Sequence, residues 1–262
     1  MIVAQLSDLH IGVEARSAYA RFDTAASLAR CVQHLSGLKP RPDAVLATGD
    51  LADGGSREEY RRLRALLAPL PAPVYLIPGN HDRREELLAE FGDHDYLPRR
   101  GAPLAYAVEH HPVRLIALDT VVPEAEGGAL DAAQLEWLAR ALSVAPRRPT
   151  LIFMHHPPFA TGLGRMDAIG LAPQSAARLR EIVARHPQVE RIVCGHVHRP
   201  IQARWGGTVV SICPSTAYQC RLDLDTGRFE PAPEEPPAYQ LHYWNGAELV
   251  THTIAVTAPP GE

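Results

Sequence analysis

The chain lacks the features that would mark a membrane protein, a polymer-binding protein or a disulfide scaffold. No uninterrupted apolar run approaches the ~18 residues that a membrane-spanning helix needs, so no transmembrane segment is expected. Four cysteines stand in 262 residues, Cys31, Cys194, Cys213 and Cys220. They are too few and too irregularly spaced for a disulfide framework or a CxxC zinc site. A basic excess is missing as well: 26 Lys and Arg against 30 Asp and Glu leave a formal charge of −4, which offers no field to hold a phosphate polymer. Aromatic residues make up 6%, so stacking platforms for single-stranded nucleic acid are scarce. The opening MIVAQLSDLH carries an acidic residue at position 8 and no basic stretch ahead of an apolar one, which argues against a secretory leader. These absences predict a cytoplasmic protein whose partners include neither long nucleic acid nor a membrane.

What is present is a regular alternation. Hydrophobic residues make up 46% of the chain, enough for a large core. Short runs rich in β-branched residues predict strands over 2–6, 44–48, 73–77, 113–118, 150–154 and 189–194. Between them lie amphipathic stretches that predict helices over 23–36, 56–68, 131–143 and 174–185, the second opened by Ser56 with Glu59 three residues on. Such alternation argues for a layered α/β fold, and near-continuous apolar strands argue for a sheet covered on both faces. After about residue 200 the pattern becomes strands without clear helices, IQARW, TVVSIC, YQLHYW and ELVTHTIAV, read as a largely antiparallel second half. The segment 229–238 reads as a Pro-rich connector and the final TAPPGE as a loose tail.

The chemistry sits where the strands end. The first ends in SDLH, with Asp8 and His10; the second in TGDLAD, with Asp50; the third in PGNHD, with Asn80, His81 and Asp82. The strand over 150–154 runs into His155 and His156, and the last into CGHVH, with His196 and His198. Taken singly, each has an ordinary explanation: Asp50 in a turn, Gly79-Asn80 as a turn dipeptide, the His pair as a solvated loop. Taken together they do not, because six of the 13 histidines fall directly after expected strands. Strand ends on one edge of an α/β sheet converge on a common crevice.

The ordered set SDLH, TGD, PGNHD, MHHPP and CGHVH resembles the calcineurin-like metallophosphoesterases, and within them the class III cyclic-nucleotide phosphodiesterase group. The stretches PDAVLATGDLADGGSREEY, VYLIPGNHD, IFMHHPPF and RIVCGHVH look most like bacterial glycerophosphodiester phosphodiesterases, with the likeness covering residues 1 to about 215. The resemblance implies a four-layer αββα sandwich, built as a single domain with a loosely matched part after about residue 216, and a homo-oligomer. It also implies two metal ions. Asp8, His10, Asp50 and His198 would hold one, and Asp50, Asn80, His155 and His196 the other, with Asp50 shared.

Carboxylate, imidazole and amide ligands without thiolate suit divalent or mixed-valence Mn, Fe, Co or Zn. Two such ions about 3.5–4 Å apart can acidify a shared water to a bridging hydroxide and clamp a phosphoryl group for in-line attack. By the same resemblance His81 points into the site without binding metal and serves as general acid, which is worth about 10²–10⁴ in rate; its ordinary reading is a structural histidine. Asp82 is expected to orient the His81 ring, and His156 either to contact substrate or to lie in a solvated loop. The function expected is hydrolysis of small phosphodiesters, cyclic nucleotides or glycerophosphodiesters. Phosphomonoesterase or nuclease activity on the same fold is the alternative, and a non-catalytic protein-binding scaffold is disfavoured by the complete ligand set.

Overall fold

The computed structural model describes residues 1–12, 22–98 and 103–257. The first half alternates as its hydrophobic periodicity requires: β1 (Ile2–Leu6), α1 (Thr24–Gly37), β2 (Ala44–Thr48), α2 (Arg57–Leu67), β3 (Val74–Ile77), α3 (Arg84–Phe91), β4 (Tyr106–Val108) and β5 (Arg114–Ala117). It continues with α4 (Ala132–Val144), β6 (Thr150–Phe153), α5 (Gly164–Ala168), α6 (Pro173–Ala184) and β7 (Val189–Cys194). Then come β8 (Ile201–Trp205), β9 (Thr208–Ile212), β10 (Gln219–Cys220), β11 (Pro231–Ala232), β12 (Ala238–Trp244) and β13 (Leu249–Ala255). The helix starts follow their capping chemistry. Ser56 Oγ accepts from Glu59 N while Glu59 Oε2 accepts from Ser56 N at 2.8 Å, a closed capping box. Asp23 and Asp131 cap α1 and α4.

The strands form two mixed sheets and a separate two-stranded pair, β10 with β11. The first has the order β13-β12-β1-β2-β3, with β1, β2 and β3 parallel and β12 antiparallel to β1. The second has the order β4-β5-β6-β7-β9-β8, parallel through β5, β6, β7 and β9 and antiparallel at both edges. The expectation of an antiparallel second half therefore holds for β8 with β9 and for β12 with β13, but β9 runs parallel to β7. That half is also split between the sheets: β8 and β9 extend one, β12 and β13 the other. The Pro-rich connector contributes the short β11, paired only with β10, a marginal position that tolerates proline. The end of the tail, from residue 258, lies outside the described residues.

Alternation along the strands makes the layers. In β5, β6 and β7, Leu115, Ala117, Leu151, Phe153 and Val193 join the core that contains β1, β2 and β3 and the inner faces of α1 and α2. Their neighbours Ile116, Ile152, Ile192 and Cys194 turn the other way, into a core with Leu135, Leu138, Leu179 and Val183 of α4 and α6. The result is helices, sheet, sheet, helices. Buried amides stitch the two sheets together, with Gln5 Nε2 donating to the Cys194 carbonyl at 3.0 Å and Gln240 Nε2 to the Ile212 carbonyl at 3.2 Å.

Candidate metal centre

The strand ends meet along one edge, and the backbone there is strained. Among the described residues six non-glycine residues have positive φ, and five are expected ligands: Asp8 (53°), His10 (43°), Asp50 (48°), His196 (74°) and His198 (54°). Asp and His tolerate this region better than most residues, yet each such residue costs roughly 1–3 kcal/mol and persists only where its surroundings enforce it. Here the first two loops are laced together: Asp8 N donates to the Gly49 carbonyl at 3.1 Å and His10 N to the Asp50 carbonyl at 2.9 Å. Glycine is required where the loops cross. A Cβ on Gly79 would lie 2.2 Å from Asp50 Oδ1 and 2.3 Å from Asp50 N; one on Gly49, at φ +92°, would lie 2.4 Å from His155 Nδ1.

The side chains fall into two groups that share Asp50. On one side, ligand atoms of Asp8, His10, Asp50 and His198 lie within 4.8 Å of one another: His10 Nε2 is 3.1 Å from His198 Nε2, His198 Nε2 3.5 Å from Asp8 Oδ1, and His10 Nε2 3.7 Å from Asp50 Oδ2. On the other side, Asn80 Oδ1 lies 3.2 Å from His155 Nε2 and 3.1 Å from His196 Nδ1, and His155 Nε2 is 3.4 Å from Asp50 Oδ1. One carboxylate oxygen of Asp50 thus faces each group. All these side chains except Asn80 are buried.

Hydrogen bonds from behind set which nitrogen faces inward. His155 Nδ1 donates to the Thr48 carbonyl at 2.8 Å and His198 Nδ1 to the Tyr218 carbonyl at 2.9 Å, so both present Nε2 to the centre. Asp8 accepts the His196 backbone N–H through both oxygens. Burial drops His198 to about 4, lowers His10, and together with His156 and His155 holds His196 well below the usual histidine range. Neutral imidazole is the form that binds metal. Burial alone would raise Asp50, but His155, His81 and His10 hold it well below the usual carboxylate range. Burial would likewise depress His155, yet Asp50 and Asp8 push it up to about 9. Burial raises Asp8 despite the opposing pull of His198 and His155. The donor set fits divalent cations: oxygen and nitrogen atoms only, with Asp50 between Asp8, His10 and His198 on one side and Asn80, His155 and His196 on the other, and with no hydrogen-bond partner for the buried His196 Nε2 among the described residues.

The remaining expected residues fare differently. His81 lines the cavity of about 100 Å³ above the centre. Its Nδ1 donates to the Asp53 carbonyl at 2.9 Å and its backbone N–H to Asp50 Oδ1 at 3.0 Å. Asp82 does not orient the His81 ring as expected. Its buried carboxylate accepts from Leu51 N, Ala52 N, Gly79 N and the Tyr60 hydroxyl, tying the second and third loops together. Burial and Asp50 still push it up to about 6. His156 is no solvated loop residue either: it is buried, its Nε2 donates to the Glu126 carbonyl at 3.0 Å, and its Nδ1 lies 2.7 Å from Thr120 Oγ1. Burial lowers it to about 3, so Nδ1 accepts. Both ring nitrogens are taken.

Sequence reasoning passed over several participants. Asp53, three residues beyond Asp50 in the same motif, places Oδ1 3.5 Å from His10 Nδ1. Ser215 Oγ donates to the Asp8 carbonyl at 2.7 Å. Glu126, Arg165, Met166, Ile169, Tyr218 and Phe229 line the cavity with the expected residues. Asp53 carried a signal in its motif; the others come from loops and from the short α5, whose approach depends on the tertiary fold.

Two mixed sheets with helices outside, and a paired carboxylate, imidazole and amide site at their strand ends, define a metallophosphoesterase type of protein. A family model described as calcineurin-like phosphoesterase matches residues 1–200. The chain belongs to that family. It is 37% identical over 254 residues to a probable glycerophosphodiester phosphodiesterase GpdQ of Arcobacter nitrofigilis, covering 97% of this chain and 92% of the relative. It is 35% identical to the 3′,5′-cyclic adenosine monophosphate phosphodiesterase CpdA of Pseudomonas aeruginosa, over 84% of this chain and 77% of that one. A dimetal phosphatase from Danio rerio shares the fold at a TM-score of 0.72 and 17% identity, covering 98% of this chain and 99% of the other. No helix among the described residues is long and apolar enough to cross a membrane.

Proposed function

We propose that this chain is a metal-dependent phosphodiesterase acting on small diesters, cyclic nucleotides or glycerophosphodiesters. Asp8, His10, Asp50 and His198 would hold one divalent ion, and Asp50, Asn80, His155 and His196 a second. The observation that carries this reading is the placement of Asp50, with Oδ2 3.7 Å from His10 Nε2 and Oδ1 3.4 Å from His155 Nε2, one oxygen toward each set of donors. When bound, such ions act as Lewis acids on a phosphoryl oxygen and increase the acidity of water.

The protein groups have separate work. Asp82 and its four donors fix the loops that carry Asp50 and Asn80. His81, anchored through Nδ1 and facing the cavity, is the group placed to protonate a leaving oxygen. Burial disfavours its charged form, but Asp50 and Asp53 outweigh burial and raise its pKa, which keeps a proton available near neutrality. A substrate contact through His156 would need the Glu126 carbonyl to give way. The names of the relatives support small diesters as substrates. The finer form of the proposal is a cytoplasmic homo-oligomer using Mn, Fe, Co or Zn.

The test is turnover of Mn-loaded protein on cyclic AMP, a glycerophosphodiester and an aryl diester, with metal content measured in parallel. Two equivalents of metal and diester turnover are expected. Full loading without turnover of any diester would overturn the reading.

A further inference from the structure

One pair of charges stands at the mouth of the centre. Arg165, in α5, donates from Nη2 to both carboxylate oxygens of Glu126, at 2.7 and 2.9 Å. Both residues line the same cavity as His10, Asp50, Asn80 and His81. Each is anchored by its backbone: Arg165 N donates to the Gly227 carbonyl at 2.9 Å, and the Glu126 carbonyl accepts from His156 Nε2 at 3.0 Å. The two charges are thus fixed at the cavity rim by the chain and joined to each other only by side chains.

Arg165 is the one Lys or Arg among the described residues that lines this cavity. Of the arginines beside the metal-site motifs, Arg83 lines a neighbouring cavity with Asn80 and His81, and the other two are engaged elsewhere. Arg84 pairs with Asp119 and the Val121 carbonyl, and Arg199 with Glu235 and the Cys220 carbonyl. A phosphomonoester near neutral pH carries about −1.5 to −2, by analogy with phosphorylated side chains, and gains from a cationic clamp. A diester carries a single negative charge and needs none. The one cation lining this cavity is neutralised by Glu126, whose carboxylate adds a negative charge to the same rim. The pair is solvent-exposed, with side-chain exposures of 48% and 63%, so its own contribution to stability is small. Its effect falls on what enters.

We propose that the Arg165–Glu126 pair sets the preference of this site for monoanionic diesters over dianionic monoesters. The inference rests on the diesterase reading above and assigns its selectivity to two residues outside the ligand set. Glu126→Gln removes a negative charge from the rim and frees the guanidinium. Arg165→Gln leaves the carboxylate unmasked. The two changes therefore act in opposite directions on the more highly charged substrate.

The experiment measures kcat/KM for an aryl monoester and the matched aryl diester with the metal-loaded wild type and both variants. Glu126→Gln should raise the monoester-to-diester ratio about fivefold, taking charges on the order of 8 Å apart at an effective dielectric of about 40. Arg165→Gln should lower the ratio, and high salt should shrink both shifts. A loosened rim without charge selection would move the ratio the same way in both variants. Shifts of the same sign, or both within about twofold of wild type, overturn the inference while leaving the diesterase reading intact. Absence of diester turnover in the fully loaded wild type overturns the reading and the inference with it.

Discussion

Replacing Asp50 with asparagine keeps its shape and removes its charge, and the consequence for the metal-free protein can be worked from the geometry. Asp50 is buried, and its Oδ1 lies 3.4 Å from the buried His155 Nε2. Burial disfavours the His155 cation, but Asp50 outweighs it and the pKa rises from 6.5 to about 9. A histidine raised on folding contributes stability that is fully present below the unfolded value and lost as pH climbs through the folded one. The gap is worth about 3 kcal/mol, present below about pH 6.5 and gone above about 9. Asp82, pushed up to about 6, titrates below this window. In Asp50→Asn, His155 faces a neutral amide, burial prevails and the decline disappears. Urea unfolding of chelator-treated protein, followed between about pH 6 and 9.5, reads the difference directly. Wild type should lose on the order of 3 kcal/mol more than the variant across that interval, the histidines that burial lowers contributing to both curves. Parallel declines in the two proteins would refute the pairing of Asp50 with His155.

Two other substitutions probe different parts of the centre. His81→Ala should leave metal content near wild type and lower turnover by about 10²–10⁴ for alkyl leaving groups, with a much smaller loss for aryl ones; equal losses would remove its role as proton donor. Gly79→Ala places a methyl 2.2 Å from Asp50 Oδ1. It should cost about 1–3 kcal/mol by overpacking and weaken metal retention, read by thermal melting and elemental analysis; unchanged metal content would show that the third loop can shift without moving Asp50.

The site was far more legible in the sequence than the sheets that build it. Asp8, His10, Asp50, Asn80, His155, His196 and His198 each follow a strand directly, so linear order placed them on one edge before any pairing was known. The partition of the strands could not be read the same way. Val45, Leu46 and Ala47 are all fully buried, as are Leu151, Ile152 and Phe153, so period-two alternation is erased where both faces are covered. Nothing local tells β12 to insert beside β1, or β9 to run parallel to β7. The elements that escaped notice are weakly signalled: α3 has eight residues and no side-chain cap, α5 has five, and β4 three. Asp82 shows the converse limit. Its neighbour in sequence is His81, yet its carboxylate serves Leu51, Ala52, Gly79 and Tyr60, contacts that only the folded loops create.

The protons of the metal-free centre lead to a further expectation. Asp8 and Asp50 are buried together, and like charges so placed cannot both ionise freely. The chain resolves this unevenly: Asp50 is held ionised beside a protonated His155, while burial, with some help from Asp50, raises Asp8. His10, His196 and His198 stay neutral because burial forbids their charge and each has a histidine neighbour. The proton on His155 occupies the place a cation would take, since its Nε2 faces both Asp50 Oδ1 and Asn80 Oδ1. Metal uptake must then displace it. With a pKa of about 9 that proton is almost fully bound near pH 7.5, so binding should release close to one proton per chain from this group. Calorimetric titration in two buffers of different ionisation enthalpy measures the number. Apparent metal affinity should rise as pH climbs toward 9. Release of less than about half a proton by wild type near pH 7.5 would mean that His155 carries no proton in the metal-free protein and would remove the balance argued for this site.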